Sequence, residues 1–205
     1  MRDLGGVGPD VVFAHATGLV GSVWAPVAAE LIDTLHCVSF DARGHGDSGA
    51  PAGHDFDWRG FARDTLAVVD SFGAPEGGTF GVGHSSGATA LLLAEEARPG
   101  TFAALYCFEP IIVIADPPLG RDQGNWLAAG ARRRRETVGS RQEATANYTA
   151  KPPFAAWVPE ALAAYVIDGF EDLPDGTVRL KCRRDDEALI YETASAHDGG
   201  AATAP

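Results

Sequence analysis

Between the apolar run Thr79-Phe80-Gly81-Val82 and a helix-forming stretch at 88–97, the chain reads Gly83-His84-Ser85-Ser86-Gly87. This is G-x-S-x-G set between a strand and a helix, the pattern of a nucleophile elbow. Such a turn is too sharp for ordinary backbone, so the central serine is strained. The glycines two positions before and after it leave room for the approach of strand and helix. The serine hydroxyl is then held at the end of the sheet, where a small molecule can reach it. The plainer reading of the same five residues is an ordinary Gly/Ser turn. The strand before and the helix after favour the elbow.

The chain's 205 residues, 45% of them hydrophobic, suffice for one globular domain with a sizeable core. Its formal net charge of −12 argues against nucleic acid as a partner, because phosphate contacts need a basic face. The same charge argues against an anionic membrane surface. No stretch has the basic start and apolar centre of a signal peptide, and the most apolar run, 103–115, is interrupted by Glu109 and Pro110. Cys37, Cys107 and Cys182 are odd in number and widely spaced. They read as free thiols of a reduced, cytoplasmic protein rather than as disulfide or metal ligands. No metal and no cofactor is expected.

The first half alternates strand and helix. Strands are expected at 11–14, 36–40, 79–84 and 103–108, with residues 1–9 leading straight into the first. Helices are expected at 23–35, after a cap at Asp57, and at 86–97. Trp58, Phe61, Ala62, Leu66, Val69 and Phe72 recur at helical spacing, and Gly73 closes that helix. The pattern predicts an α/β fold with a doubly wound, mostly parallel sheet over residues 1–117. After Pro117-Pro118 the rhythm changes to helices near 125–135, from Ser140 with Glu143 as a capping box, after Pro159, and at 186–196. The only strand expected there is at 177–182. Residues 118–198 read as a helical cap, and 199–205 as a frayed tail. The run Arg132 to Arg135 is either an anion or partner patch or a solvated helix face; charge runs favour the solvated face.

Three loops fall at the carboxyl ends of expected parallel strands, where such sheets bind ligands. They are His15-Ala16-Thr17-Gly18, Asp41-Ala42-Arg43-Gly44-His45-Gly46-Asp47-Ser48, and the elbow. In order and spacing these loops resemble the α/β-hydrolase fold superfamily, in its serine-nucleophile, cap-bearing branch, over nearly the whole chain. The resemblance implies Ser85 as nucleophile and the backbone N–H groups of Thr17 and Ser86 as an oxyanion hole. Ala16 stands where the family usually has glycine. Some members, including a subgroup of haloalkane dehalogenases, carry a glutamate at the end of the strand after the elbow helix. Glu109 has that position and is a candidate acid, or else a residue that bonds the loops or lines the pocket. His15, His84, Trp126 and Trp157 are pocket candidates, the aromatics alternatively forming the core of the cap.

The resemblance implies a small-molecule substrate, ester-like or cleaved at a C–C bond, and an acyl-serine intermediate. It also implies a histidine base late in the chain. The only histidine after Ser85 is His197, in the expected tail. The chain therefore reads as truncated at both ends. The alternative is a catalytically incomplete protein that at most binds a ligand. A sheet cut short would expose an unpaired edge, across which a homodimer could form.

Overall fold

The computed structural model describes residues 1–73, 77–112 and 125–194. Its centre is a five-stranded sheet of β1 (Arg2–Gly5), β2 (Asp10–Ala14), β3 (His36–Phe40), β4 (Thr79–His84) and β5 (Phe102–Phe108), in the order β1-β3-β2-β4-β5. The last four strands are parallel and β1 runs antiparallel to β3. The apolar run in β2 is explained by burial on both faces. Val11 and Phe13 point to one side with Cys37 and Ala28, while Val12 and Ala14 point to the other with Phe40, Leu91 and Ala94.

Helix α1 (Ala25–Ala29) covers the first face; α2 (Trp58–Asp70) and α3 (Ser86–Ala97) cover the second. The Asp57 carboxylate caps α2 by accepting from the Arg59 N–H, and Gly73 follows that helix at φ 79°. Two expectations are corrected here. Residues 1–9 do not lead straight into β2, because Arg2–Gly5 forms an edge strand. Its polar, half-exposed residues carry no apolar run to announce it. The helix expected over 23–35 is a 3-10 turn at Gly21–Trp24 followed by the single short α1.

The second half contains α4 (Trp126–Arg132), α5 (Arg141–Thr149), α6 (Pro159–Asp168) and α7 (Arg184–Thr193). The Ser140 hydroxyl accepts from the Glu143 N–H as expected, but the Glu143 carboxylate reaches back to the Gly139 N–H rather than to that of Ser140. A small antiparallel sheet of β6 (Thr137–Val138), β8 (Val178–Leu180) and β7 (Phe170–Asp172) accompanies the helices. Only the strand near 178 was expected. Two- and three-residue strands are too short to display a periodicity.

These elements share a core of their own, in which Tyr165, Phe170, Val178 and Leu180 pack on Val20 from the β2–α1 connection. Helix α7 is docked differently. Its Ile190 joins the main core, and the indole N–H of buried Trp58 donates to the Ile190 carbonyl at 3.2 Å. The Pro117-Pro118 boundary and the tail at 199–205 lie outside the described residues. At the far side of the main sheet, β5 pairs only with β4 among the described residues, leaving Tyr106 66% and Phe108 49% exposed.

Candidate active site

The turn at Ser85 has the strain its sequence predicts. Ser85 lies at φ 53°, ψ −119°, a region that L-residues rarely occupy and that persists only where surrounding packing enforces it. Here the enforcing contacts are visible. A Cβ on Gly83 would stand 2.6 Å from the backbone of Ala88, and one on Gly87 would stand 2.4 Å from the Ala14 carbonyl oxygen. The Ser85 N–H is held by the Phe108 carbonyl at 2.9 Å, and its carbonyl accepts from the Thr89 N–H at 3.0 Å. Its hydroxyl has no hydrogen-bond partner among the described residues, and the side chain is only partly buried.

Ser86 opens α3, so its N–H belongs to the first turn and has no acceptor inside the helix. The Thr17 hydroxyl donates to the Ser86 hydroxyl at 2.9 Å, joining the turn after β2 to the elbow across 69 residues of sequence. That turn is closed by the Leu19 N–H on the Ala16 carbonyl at 3.1 Å. Two histidines lock it from behind. His15 donates through Nδ1 to the Ala16 carbonyl (2.8 Å) and accepts at Nε2 from the Ala42 N–H (2.9 Å). His45 donates through Nδ1 to the Arg43 carbonyl (3.0 Å) and accepts at Nε2 from the Gly18 N–H (2.9 Å).

The two rings meet edge to face at 5.1 Å. Burial pushes the His15 imidazole below its ordinary value, and burial with the neighbouring His15 pushes His45 down to about 3. Both are neutral tautomers fixed by the backbone. His15, a pocket candidate in the sequence, is an interior brace between two loops.

The other candidates are dispersed. His84 is half-buried against the Phe108 ring at 5.2 Å; burial lowers its pKa, opposed by the nearby Glu109 carboxylate. Glu109 itself stands at φ 48° and is exposed. It directly follows the residue whose carbonyl holds the Ser85 N–H. Trp157 packs against Phe154 and Tyr165 within the second core, and Trp126 is 75% exposed at the start of α4. His36 sits at the opposite end of the sheet, bonded to Asp10 at 2.6 Å, and His54 is bonded to Asp186 at 2.6 Å. His197 lies outside the described residues. Among the described residues no group of three His, Cys, Asp or Glu side chains could hold a metal ion, and no helix is long and apolar enough to cross a membrane.

The arginine run is not a uniformly solvated face. Arg132 pairs with Glu192 and Arg135 with Glu143 at the surface. Arg134 is turned inward, where it pairs with buried Glu187 and donates to the hydroxyls of Tyr148 (2.9 Å) and Tyr165 (2.6 Å). No sequence signal marks Arg134 apart from its three neighbours.

Comparison with known proteins places the family and the fold. The family model described as alpha/beta hydrolase family matches residues 11–200. Karrikin insensitive 2 receptor CA from Petunia hybrida is 35% identical over 109 residues, which is 51% of this chain and 39% of the receptor. The match thus spans well under half of that relative's length. Among solved structures, E-2-(acetamidomethylene)succinate hydrolase superposes with a TM-score of 0.78 at 21% identity, over 98% of this chain and 70% of the other. A peroxisomal alpha-beta-hydrolase from Saccharomyces cerevisiae gives 0.74 at 20% identity, over 96% and 59%. At these identities the structural likeness is one of fold.

Proposed function

Because the chain belongs to the alpha/beta hydrolase family, we propose that it descends from serine hydrolases acting on small ester-like or C–C substrates, with Ser85 as the nucleophile. The observation that carries this reading is the strained Ser85 backbone, enforced by the close contacts at Gly83 and Gly87. A fold does not hold a serine in that conformation without a compensating reason. In the proposed course, the Ser85 hydroxyl oxygen attacks the substrate carbonyl carbon and its proton passes to a base. The carbonyl oxygen becomes an oxyanion facing the Thr17 and Ser86 N–H groups, and the leaving group departs with the proton. Water then cleaves the acyl-serine. Each oxyanion donor contributes about 3 kcal/mol to the transition state.

A serine hydroxyl needs a base, and among the described histidines His15 and His45 have both ring nitrogens committed. His197 is the candidate base by chain order. Glu109 is the candidate acid by its adjacency to the Ser85 anchor, although its exposure gives it less need of a cationic partner than a buried carboxylate has. Engagement of His15 and His45 favours one second reading, a protein that binds a small ligand in the same place without turning it over. Free Cys37, Cys107 and Cys182 support a reducing, cytoplasmic setting. The exposed β5 edge is the proposed surface for a homodimer.

A fluorophosphonate probe, read by intact mass, tests the assignment. The folded chain is expected to take one adduct that Ser85→Ala abolishes. A folded protein with no adduct and no turnover of short p-nitrophenyl esters would leave only the ligand-binding reading.

A further inference from the structure

Against the turn carrying Thr17 lies an ion pair of part-buried Arg134 and buried Glu187, supplied entirely by the second half of the chain. Gly18, at φ 79°, is closely surrounded. Its N–H is taken by His45, and a Cβ placed on it would lie 2.7 Å from the Glu187 carboxylate and 3.1 Å from Arg134 Nη1. Glu187 comes from α7 and Arg134 from the α4–β6 connection, while the tyrosyl hydroxyls on the same guanidinium come from α5 and α6. One cation thus gathers four separate elements against a single glycine. The rigid, planar donor fork of arginine suits this; a lysine offers only a point charge. Surface pairing would not require such convergence, and the neighbouring Arg132 and Arg135 make ordinary exposed pairs instead.

We propose that Arg134 and Glu187 are positioning residues for the turn Ala16 to Leu19, and through it for the Thr17 N–H. The proposal rests on the reading of Thr17 and Ser86 as oxyanion donors. Besides the bonds from His15 and His45, the turn is held by the Thr17–Ser86 hydroxyl bond and flanked by the Arg134–Glu187 wedge at Gly18. Removing the wedge leaves the Gly18 N–H held by His45 and takes away the charged side chains packed against its Cα, while Ser85 stays displayed. The role predicted for the pair is therefore in the rate of attack rather than in ligand affinity.

The test compares the full chain with Arg134→Met/Glu187→Met, which removes both charges together and leaves neither buried alone. Two readouts are followed: the phosphonylation rate of Ser85, resolved into reversible binding and bond formation, and amide hydrogen exchange at Thr17, Gly18 and Leu19. The expected result is a fall of about 100-fold in the bond-forming rate, the consequence of a displacement near 1 Å. Reversible binding should be unchanged and exchange at the turn faster. Unchanged exchange and rate would overturn the proposal while leaving Ser85 as the nucleophile.

If the parent chain takes no adduct, the catalytic reading fails by itself and exchange alone decides the positioning role: faster exchange supports it, unchanged exchange overturns it. Should the double variant not fold, Arg134→Lys serves instead. It keeps the charge beside Glu187 but cannot also span both tyrosyl oxygens, and it is expected to speed exchange at Gly18; unaltered exchange there overturns the proposal.

Discussion

The two glycine-to-alanine changes at Gly87 and Gly130 are the same chemical edit made in opposite surroundings. Both residues lie inside helices, so both substitutions reduce the freedom of the unfolded chain and add about 0.4–1 kcal/mol of stability from that source alone. At Gly130 nothing lies within 4 Å of the new methyl group, so only this gain operates. At Gly87 the methyl would sit 2.4 Å from the Ala14 carbonyl oxygen and 2.6 Å from that of His15.

These contacts are about 1 Å short of ordinary van der Waals separation. The Ala14 oxygen cannot yield cheaply, because Ala14 is paired in register with Phe40 on one side and Gly83 on the other. Overpacking of this kind costs about 1–3 kcal/mol. At the middle of both ranges, a cost of about 2 kcal/mol less a gain of about 0.7 kcal/mol leaves a net loss of about 1.3 kcal/mol for Gly87→Ala. That lowers the melting temperature by roughly 3–5 °C for a chain of this size, while Gly130→Ala raises it by roughly 1–4 °C. Urea unfolding with the m-value monitored separates these changes from altered cooperativity. A Gly87→Ala protein as stable as the parent, with Ser85 equally reactive, would refute the claim that the elbow depends on bare backbone at that position.

Acid should weaken the fold through the two buried imidazoles. Their folded pKa values lie below 6.5, so the unfolded chain takes up protons first. The stability they confer is complete above pH 6.5 and falls beneath it, by about 1.4 kcal/mol per unit for His45 until its folded value near 3 is reached. Denaturant titrations from pH 7 to 4.5 check this; a flat profile would count against neutral, bonded rings.

His36 acts in the opposite sense. Its bond to Asp10, with Asp3 nearby, raises its pKa above 6.5, so its contribution is complete below 6.5 and is lost as pH climbs through the folded value. His36→Asn should remove that alkaline slope from the stability profile. Trp58→Ala, which empties a fully buried site and removes the indole donor from the Ile190 carbonyl, leaving that of Thr193, should cost about 3–5 kcal/mol and increase protease cutting within α7. An intact, protease-resistant α7 in that variant would show that its docking does not depend on Trp58.

Local pattern made much of this protein legible. The apolar runs at 11–14 and 79–84, the Asp57 cap and the spacing of Trp58, Phe61 and Val69 encode elements whose stability comes from near neighbours and one buried face. The elbow was legible for the same reason, since the need for glycine at 83 and 87 is a local steric demand. Three kinds of feature were not. The strands β1, β6 and β7 exist because a partner edge waits for them, and a two- to four-residue segment carries no period of its own. The burial of His15, the exposure of Glu109 and the placement of Trp126 and Trp157 depend on which elements cover them.

The inward turn of Arg134 is the clearest case. Its three neighbours carry the same side chain, and only the convergence of Glu187, Tyr148 and Tyr165 on one point distinguishes it. Residue type and spacing determined that a serine is displayed between a strand and a helix. Which polar groups brace it was decided by tertiary structure, because burial and charge pairing are properties of distances that sequence separation does not contain.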